Sequence, residues 1–236
     1  LPTATLAGTA SVCEGGLDQT ITFTGANGTA PYTYGYTING GAPQTIVSVG
    51  STVTITVSAA AAGTFSYELI GVQDASSSGC YQAQAGTAIV TINPLPIVDA
   101  GTDFTICDGA QAILTGSGAL VYAWTGGIID GQAFTPTGTD TYTVTGTDAN
   151  GCVATDDITV TVEPLPVVSF IGDNLSGCAS DPLTVTFTNT TPGVMADCIW
   201  TLGNGTVLTG CNTVTATFSA AGTYDVTLTT TSANGC

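Results

Sequence analysis

The chain has 236 residues, none of which is lysine, arginine or histidine, while seventeen are aspartate or glutamate. These absences exclude general base catalysis by imidazole, Schiff-base chemistry on lysine and guanidinium binding of phosphate. The formal charge of −17 also argues against partners such as nucleic acids and anionic membranes. The composition therefore predicts a structural module rather than an enzyme, held by apolar burial, backbone hydrogen bonds and covalent links.

The apolar fraction of 43% and the alternating runs of Val, Ile, Tyr, Phe and Thr argue against a disordered polyanion. No stretch approaches the ~20 continuous apolar residues of a membrane span, so we expect no membrane insertion. Eight cysteines without histidine, and without short C-x-x-C spacing, favour disulfides over zinc and hence an extracellular location. The sequence has no initiator Met or signal peptide, and we expect an internal piece of a longer, processed precursor.

Internal repeats divide the chain at two proline-rich joints. Asn93–Pro96 (NPLP) returns as Glu163–Pro166 (EPLP), and the sequence opens on Leu1-Pro2. Two prolines around one leucine favour an extended, fairly stiff connection without backbone donors. The repeats predict three modules, which span 1–93, 94–163 and 164–236.

Each module has the same late landmark. The segments Gly63–Leu69, Asp140–Thr145 and Gly222–Leu228 alternate between apolar and Thr-rich positions, which predicts strands. A turn ending in cysteine follows each of them, and then a last strand, Ala88–Ile92 in the first module and Ile158–Val162 in the second. Many short strands with glycine turns and no helical period indicate an all-β fold of tandem immunoglobulin-like sandwiches.

The third module reaches Cys236 before its final strand, which is missing from the repeat pattern. Such a boundary would leave an exposed sheet edge. Either further residues supply the strand, or a strand from another subunit fills the gap.

The cysteines occur early and late in each module. Pairing the early with the late cysteine inside each module leaves two more for a local hairpin, and this repeat logic selects one of the 105 possible pairings. The predicted disulfides are Cys13–Cys80, Cys107–Cys152, Cys178–Cys236 and Cys198–Cys211. Each would stabilise the fold by roughly 3–4 kcal/mol on the chain-entropy model.

The middle module holds nine of the seventeen acids, several of them near its ends. Hard carboxylate oxygens suit Ca²⁺, which could brace the joints, although no D-x-D-x-D-G run is present and exposed carboxylates are usually only solvated. No cofactor other than possible Ca²⁺ is expected. The candidate calcium ligands are Asp99, Asp103, Asp148, Asp156, Asp157 and Glu163.

Two further features allow a functional and a structural interpretation. Trp124 and Trp200 could stack on sugars, but sandwich domains commonly bury a Trp at such strand positions. Asp156 and Asp157 could suggest an acid/base pair, but adjacent side chains of a strand face opposite ways. Core packing and solvated carboxylates are the favoured interpretations.

Three segments carry a resemblance to known families. Trp200–Gly205 (WTLGNG) and Phe218–Leu228 (FSAAGTYDVTL) resemble the PKD family of immunoglobulin-like domains, although Leu202 and Asn204 depart from its usual W-x-F-G-D-G turn. Tyr122–Trp124 with Thr147–Cys152 looks like the tandem modules of large Bacteroidetes surface proteins. Cys13–Gly16 with Gly28–Tyr34 is similar to repeats of their gliding-motility and adhesion proteins. The resemblance implies export to the cell surface by type IX secretion.

These observations predict a disulfide-stapled segment of an extracellular fibre, stalk or adhesin that acts as a stiff, protease-resistant spacer. Its partners would be neighbouring repeats of the same polypeptide. One alternative is a glycan- or protein-binding accessory module of a secreted hydrolase. The other is a filament subunit that forms a homopolymer by strand addition beside the Tyr224–Thr230 run.

Overall fold

The computed structural model describes residues 1–178 and 182–236. Within these ranges the chain forms β-strands, and its helical content is one 3-10 turn at Thr125–Gly127. The all-β prediction is therefore confirmed. Each sheet is built from strands of a single predicted module.

The strands of residues 1–93 follow the period-2 pattern of the sequence, with apolar side chains buried and threonines exposed. They are β1 (Thr3–Ala7), β2 (Ala10–Cys13), β3 (Gln19–Ala26), β4 (Thr33–Ile38), β5 (Gln44–Val47), β6 (Thr52–Val57), β7 (Gly63–Gln73) and β8 (Tyr81–Asn93). β7 and β8 contain the two strands predicted for this module.

Two sheets enclose the core of residues 1–93. One has the order β1-β3-β6, and the other has the order β2-β8-β7-β4-β5. All neighbours are antiparallel except β2 and β8, which run parallel. The core between the sheets is aromatic: the ring of Phe23 on β3 lies 5.5 Å from that of Tyr34 and 5.2 Å from that of Tyr36, both on β4.

The chain moves from one sheet to the other between β1 and β2, at Gly8. Its φ of +123° is one that residues with a Cβ rarely adopt, and a Cβ here would overlap the carbonyl oxygen of Thr20. Glycine at this position therefore allows the first strand to pair with β3 and its continuation to pair with β8.

Residues 94–163 repeat this arrangement with shorter strands. They are β9 (Phe104–Cys107), β10 (Ala112–Ile113), β11 (Val121–Trp124), β12 (Ala133–Phe134), β13 (Asp140–Thr147) and β14 (Val153–Glu163). β10 pairs with β12, and the second sheet has the order β11-β13-β14-β9, with β9 parallel to β14. Leu114, Trp124, Val144 and Val160 are among the buried side chains.

The last predicted module has two three-stranded sheets. Its strands are β15 (Phe170–Gly172), β16 (Leu183–Asn189), β17 (Met195–Leu202), β18 (Val207–Thr209), β19 (Thr213–Phe218) and β20 (Val226–Ser232). The sheet orders are β15-β16-β19 and β18-β17-β20. Trp200 is fully buried, and its ring meets that of Phe170 edge-on at 5.2 Å. The strand predicted from Gly222 begins only at Val226.

The chain divides into two compact units. Unit 1 contains residues 1–98, 117–122 and 145–155, and unit 2 contains 99–116, 123–144 and 156–236. Their boundaries fall within residues 94–163, so the division into three modules remains a prediction about the chain.

Candidate functional site: the disulfide-bridged joints

The first joint begins where β2 and β8 end together. In their parallel pairing Cys13 lies opposite Asn93, the residue before Pro94. The N–H of Glu14 donates to the carbonyl of Asn93 at 2.8 Å, and the Asn93 side chain donates to the hydroxyl of Ser11 at 2.9 Å. These bonds fix Cys13 beside the point where the chain leaves residues 1–93.

The second joint repeats this geometry. Cys107, the last residue of β9, lies opposite Glu163, the last residue of β14, and Pro164 follows. The N–H of Asp108 donates to the carbonyl of Glu163 at 2.8 Å, as Glu14 does to Asn93. Both early cysteines therefore mark the exit end of their module.

The late cysteines lie in a loop at the opposite end of the last strand. In unit 1 the backbone N–H of Asp148 donates to the carbonyl of Cys152 at 2.9 Å, and the Asp148 carboxylate accepts the N–H of Cys152 at 2.8 Å. In unit 2 the backbone N–H of Ser232 donates to the carbonyl of Cys236, and the Ser232 hydroxyl accepts the N–H of Cys236 at 3.1 Å. A short polar side chain thus closes both loops.

Two disulfides connect successive predicted modules. Cys13 is bonded to Cys152 within unit 1, and Cys107 is bonded to Cys236 within unit 2; their Cα atoms are 5.5 Å and 5.4 Å apart. Cys13, at the exit end of the first module, is bonded to Cys152 in the loop before the last strand of the second module. Cys107, at the exit end of the second module, is bonded to Cys236 in the equivalent loop of the third. The structure therefore contains covalent bridges across both proline-rich joints.

The third disulfide is local. Cys198 on β17 is bonded to Cys211, with Cα atoms 5.0 Å apart, as the sequence predicted. The side chain of Asn189 donates to the carbonyl of Cys211 at 3.0 Å and so ties this bridge to β16. This bond lies inside the last module and does not cross a joint.

The predicted pairs Cys13–Cys80 and Cys107–Cys152 are wrong, because the two cysteines of each pair lie at opposite ends of a strand. β8 has 13 residues, so at about 3.3 Å per residue roughly 40 Å separates Cys80 from Asn93, the neighbour of Cys13. The 11 residues of β14 separate Cys152 from Glu163 by roughly 36 Å. Disulfide-bonded Cα atoms lie within about 7 Å.

The predicted Cys178–Cys236 pair is also wrong, since Cys236 is bonded to Cys107. Among the described residues, Cys80 and Cys178 carry free thiols, half-buried and exposed respectively. One sequence signal could have revealed the true pairing. Each late cysteine of the first two modules comes directly before a last strand that continues unbroken to the joint.

Close packing holds the first joint in unit 1. A Cβ added at Gly118 would overlap the carbonyl oxygen of Ile97, and one added at Gly146 would overlap side-chain atoms of Val98 and Ala119. The segment after Pro96 therefore lies directly on glycine backbone. Sequence reasoning missed both glycines, because nothing local marks them as contacts of a linker.

The second joint carries a direct polar contact within unit 2. The side-chain amide of Asn234, in the loop that contains Cys236, donates to the carboxylate of Glu163 at 2.9 Å. Glu163 is thus engaged in the joint itself. The hydrogen bond and the disulfide connect the same exit end and loop.

The predicted calcium ligands do not come together. In residues 1–178 and 182–236 no group of three or more Asp, Glu, Cys or His side chains could hold a metal ion. Most of the candidate carboxylates instead accept N–H groups of their own surroundings. The acceptors are Asp99 for Gly101, Asp103 for Thr159, Asp148 for Asn150 and Cys152, Asp156 for Ala100 and Glu163 for Asn234.

The tryptophans are core residues. Trp200 is fully buried and its indole N–H donates to the carbonyl of Gly210 at 2.9 Å; that of Trp124 donates to the Asp130 carboxylate at 2.9 Å. Neither ring offers a face for sugar stacking. Of the adjacent acids, Asp156 is half-buried and Asp157 is exposed, as expected for alternating strand positions.

Asp74, in the loop that contains Cys80, has a carboxyl group whose pKa is shifted by its hydrogen bonds. The backbone N–H of Thr29 and then the hydroxyl of Ser76 donate to Asp74, and these bonds lower the pKa of its carboxyl below the ordinary value. The ionised carboxylate therefore stabilises this loop.

Comparisons with known proteins agree with the fold. Residues 163–236 match the PKD domain family, and the paired sheets have the immunoglobulin-like arrangement. No helix among the described residues has the length and apolarity needed to span a bilayer.

The solved structures to which this chain is similar include two bacterial adhesins and a titin fragment. A Ca²⁺-stabilised adhesin that helps an Antarctic bacterium reach out and bind ice is 15% identical, with 99% of this chain and 71% of that chain covered and a TM-score of 0.42. A 1.5-MDa bacterial ice-binding adhesin is 14% identical, with 100% and 93% covered and a TM-score of 0.40. An I-band fragment of titin is 12% identical, with 96% and 93% covered and a TM-score of 0.44. No curated protein sequence matches the chain.

Proposed function

We propose that this chain is a structural repeat segment of a bacterial extracellular fibre, stalk or adhesin, in which it acts as a stiff spacer. One observation carries the proposal: the long-range disulfides Cys13–Cys152 and Cys107–Cys236 cross the joints between successive modules. A disulfide inside one module would stabilise that module alone. A rod that must keep its length gains resistance to bending at each joint.

The chemistry of the chain supports an extracellular place for this spacer. Disulfides persist in oxidising compartments, and the PKD match of residues 163–236 indicates a non-enzymatic module type. With no Lys or Arg in the sequence, trypsin-like proteases have no cleavage site. Type IX secretion to a Bacteroidetes cell surface is the export route we propose, on the sequence resemblance given above.

The spacer function requires the joint disulfides, and small-angle X-ray scattering tests it. A variant with Cys13, Cys152, Cys107 and Cys236 all changed to Ser should populate a broader range of maximum dimensions than the native chain. The matched control is C198S/C211S, which removes a disulfide without touching a joint. Equal distributions for the native chain and the joint variant would refute the stiffening role.

One alternative loses its main support. A glycan-binding accessory module was expected to expose an aromatic strip, but Trp124 and Trp200 are buried.

A filament subunit that polymerises by strand addition remains a second candidate. It is favoured by the edge position of β20, which among the described strands pairs with β17 alone, whereas β7 pairs with both β4 and β8. Strand addition predicts polymers that persist under reducing conditions. A chain that stays monomeric with its thiols reduced, at every concentration measured by sedimentation, would exclude it.

A further inference from the structure

The two free thiols are the late cysteine of the first predicted module and the early cysteine of the last, and the joint disulfides each join one early and one late cysteine. Cys80 lies in the loop before β8, as Cys152 lies in the loop before β14. Cys178 is the early cysteine of the last module, as Cys13 and Cys107 are of the first two. In both observed bridges an early cysteine bonds the late cysteine of the following module. By that rule the partner of Cys80 is the early cysteine of a preceding module, and the partner of Cys178 is the late cysteine of a following module.

The loop that holds Cys80 has the same construction as the two loops whose cysteines are bonded. The backbone N–H of Asp74 donates to the carbonyl of Cys80 at 3.4 Å, as Asp148 does to Cys152 and Ser232 does to Cys236. A polar side chain occupies the first position in all three loops, and a glycine with positive φ precedes each cysteine. The match with two bonded loops, rather than the presence of a thiol, is what indicates a partner.

The surroundings of Cys80 fit a thiol that forms a bond rather than one that fills a core. Its side chain is half-buried, and its sulfur lies 3.1 Å from the hydroxyl of Ser78. Of the two equivalent residues with their bonds made, Cys236 is half-buried like Cys80 and Cys152 is fully buried.

We propose that Cys80 and Cys178 are docking positions for further modules of this type, so that disulfides connect each module to the next along an array longer than this segment. Cys80 takes the early cysteine of a module before it, and Cys178 takes the late cysteine of a module after it. The proposal rests on the spacer function and deepens it by naming the partner: a PKD-like module with the complementary cysteine.

The bond forms by thiol–disulfide exchange. Two thiols, that of Cys80 and that of the partner, lose two protons and two electrons to an oxidised disulfide of the glutathione or dithiol-oxidoreductase class. The products are one S–S bond and two thiols on the former oxidant.

Peptide mapping of the full-length protein from its source cells tests the proposal directly. Free thiols are blocked before digestion under non-reducing conditions with Asp- and Glu-specific proteases, since trypsin has no site in this segment. We expect the Cys80 peptide to be linked to an early cysteine of another module. A blocked, free Cys80 overturns the proposal, and so does a bond from Cys80 to another late cysteine.

A second copy of this chain supplies the matched probe in vitro. A C178S chain, which keeps Cys80, is mixed with a size-tagged C80S chain, which keeps Cys178, in a glutathione redox buffer. We expect a several-fold excess of the Cys80–Cys178 heterodimer over its statistical share, with the three native disulfides intact. The control moves the thiol within the same loop, in the variant S78C/C80S/C178S, and should give only the statistical share.

Heterodimer at the statistical share, or a Cys80–Cys178 bond within a single native chain on a non-reducing gel, would overturn the proposal. These failures are distinct from failure of the spacer function. The scattering experiment depends on Cys13, Cys107, Cys152 and Cys236 and does not involve either free thiol.

Discussion

Cys13 lies opposite Asn93 at the ends of the parallel strands β2 and β8, and Asn93 is the residue before Pro94. This pairing places the first cysteine of the chain at the far end of its module, next to the module that follows. The same relationship joins Cys107 to Glu163. It determines which cysteines can meet, because the other cysteine of each module lies a full strand length away.

Disulfide mapping of the oxidised 236-residue chain should therefore give the pairs Cys13–Cys152 and Cys107–Cys236. Digestion after acidic residues separates these cysteines, and mass spectrometry without reduction identifies the linked peptides. A Cys13–Cys80 peptide would contradict the structure. The Cys198–Cys211 bond serves as an internal control, since sequence and structure agree on it.

The variant C198S/C211S should lower the free energy of unfolding of the last module by about 3 kcal/mol on the chain-entropy model, because a short loop in the unfolded chain is no longer closed. Denaturant unfolding followed by Trp200 fluorescence measures this loss. Reductant should lower the free energy of unfolding of the native chain toward that of the variant. The variant has no Cys198–Cys211 bond for the reductant to break.

The variant G118A should destabilise the first joint. Ala at φ +86° is strained by about 1–2 kcal/mol, and its Cβ would in addition overlap the carbonyl oxygen of Ile97. Thermal unfolding should show a larger fall in Tm than for G126A, where φ is +71° and nothing lies within 4 Å of the added Cβ. Equal falls in Tm would show that backbone strain alone lowers the stability at position 118. The linker at Ile97 would then be able to move away from the added Cβ.

The stability of the Cys80 loop should depend on pH through Asp74. The pKa of its carboxyl in the folded protein lies below the unfolded value of about 3.9. Its contribution is therefore present above that value and is lost as the pH falls through the folded pKa. D74N should be less stable than the native chain at neutral pH, with the difference shrinking in acid. Chemical denaturation across this range measures it.

The matched control for this pH dependence is D157N, which removes an exposed carboxylate outside the loop. The free energy of unfolding of D157N should change with pH in parallel with that of the native chain. A D74N deficit that is the same at neutral and acid pH would show that the hydrogen bonds, not the charge, stabilise the loop.

Local pattern was sufficient to predict four of the longer strands. β7, β8, β13 and β14 contain the alternating runs read from the sequence, and β8 and β14 end at the NPLP and EPLP segments. Burial of Trp200 also followed from its strand position. These features depend on residues close together in the chain, where periodicity and proline stiffness decide the structure.

The disulfide partners could not be predicted in this way, because they depend on strand order. Nothing in residues 10–13 shows that β2 leaves β1 to run parallel with β8, a change that Gly8 permits. Once that pairing is known, Cys13 and Cys80 are seen to lie at opposite ends of β8. This distance excludes a bond between them. The calcium prediction was not supported for a related reason: strand order keeps the acids apart, and backbone N–H groups occupy most of them.

The two long-range bridges overlap along the chain, since Cys107 lies between Cys13 and Cys152. A pulling force applied at the two ends would follow the shortest covalent route. That route uses residues 1–13, passes to Cys152, returns along the backbone to Cys107 and leaves at Cys236. At about 3.4 Å per residue it measures about 200 Å, against about 800 Å for the same chain without bridges. Even with every sheet pulled apart, the segment could extend to only about a quarter of its contour length, so reduction of two bonds would decide how far it can be stretched.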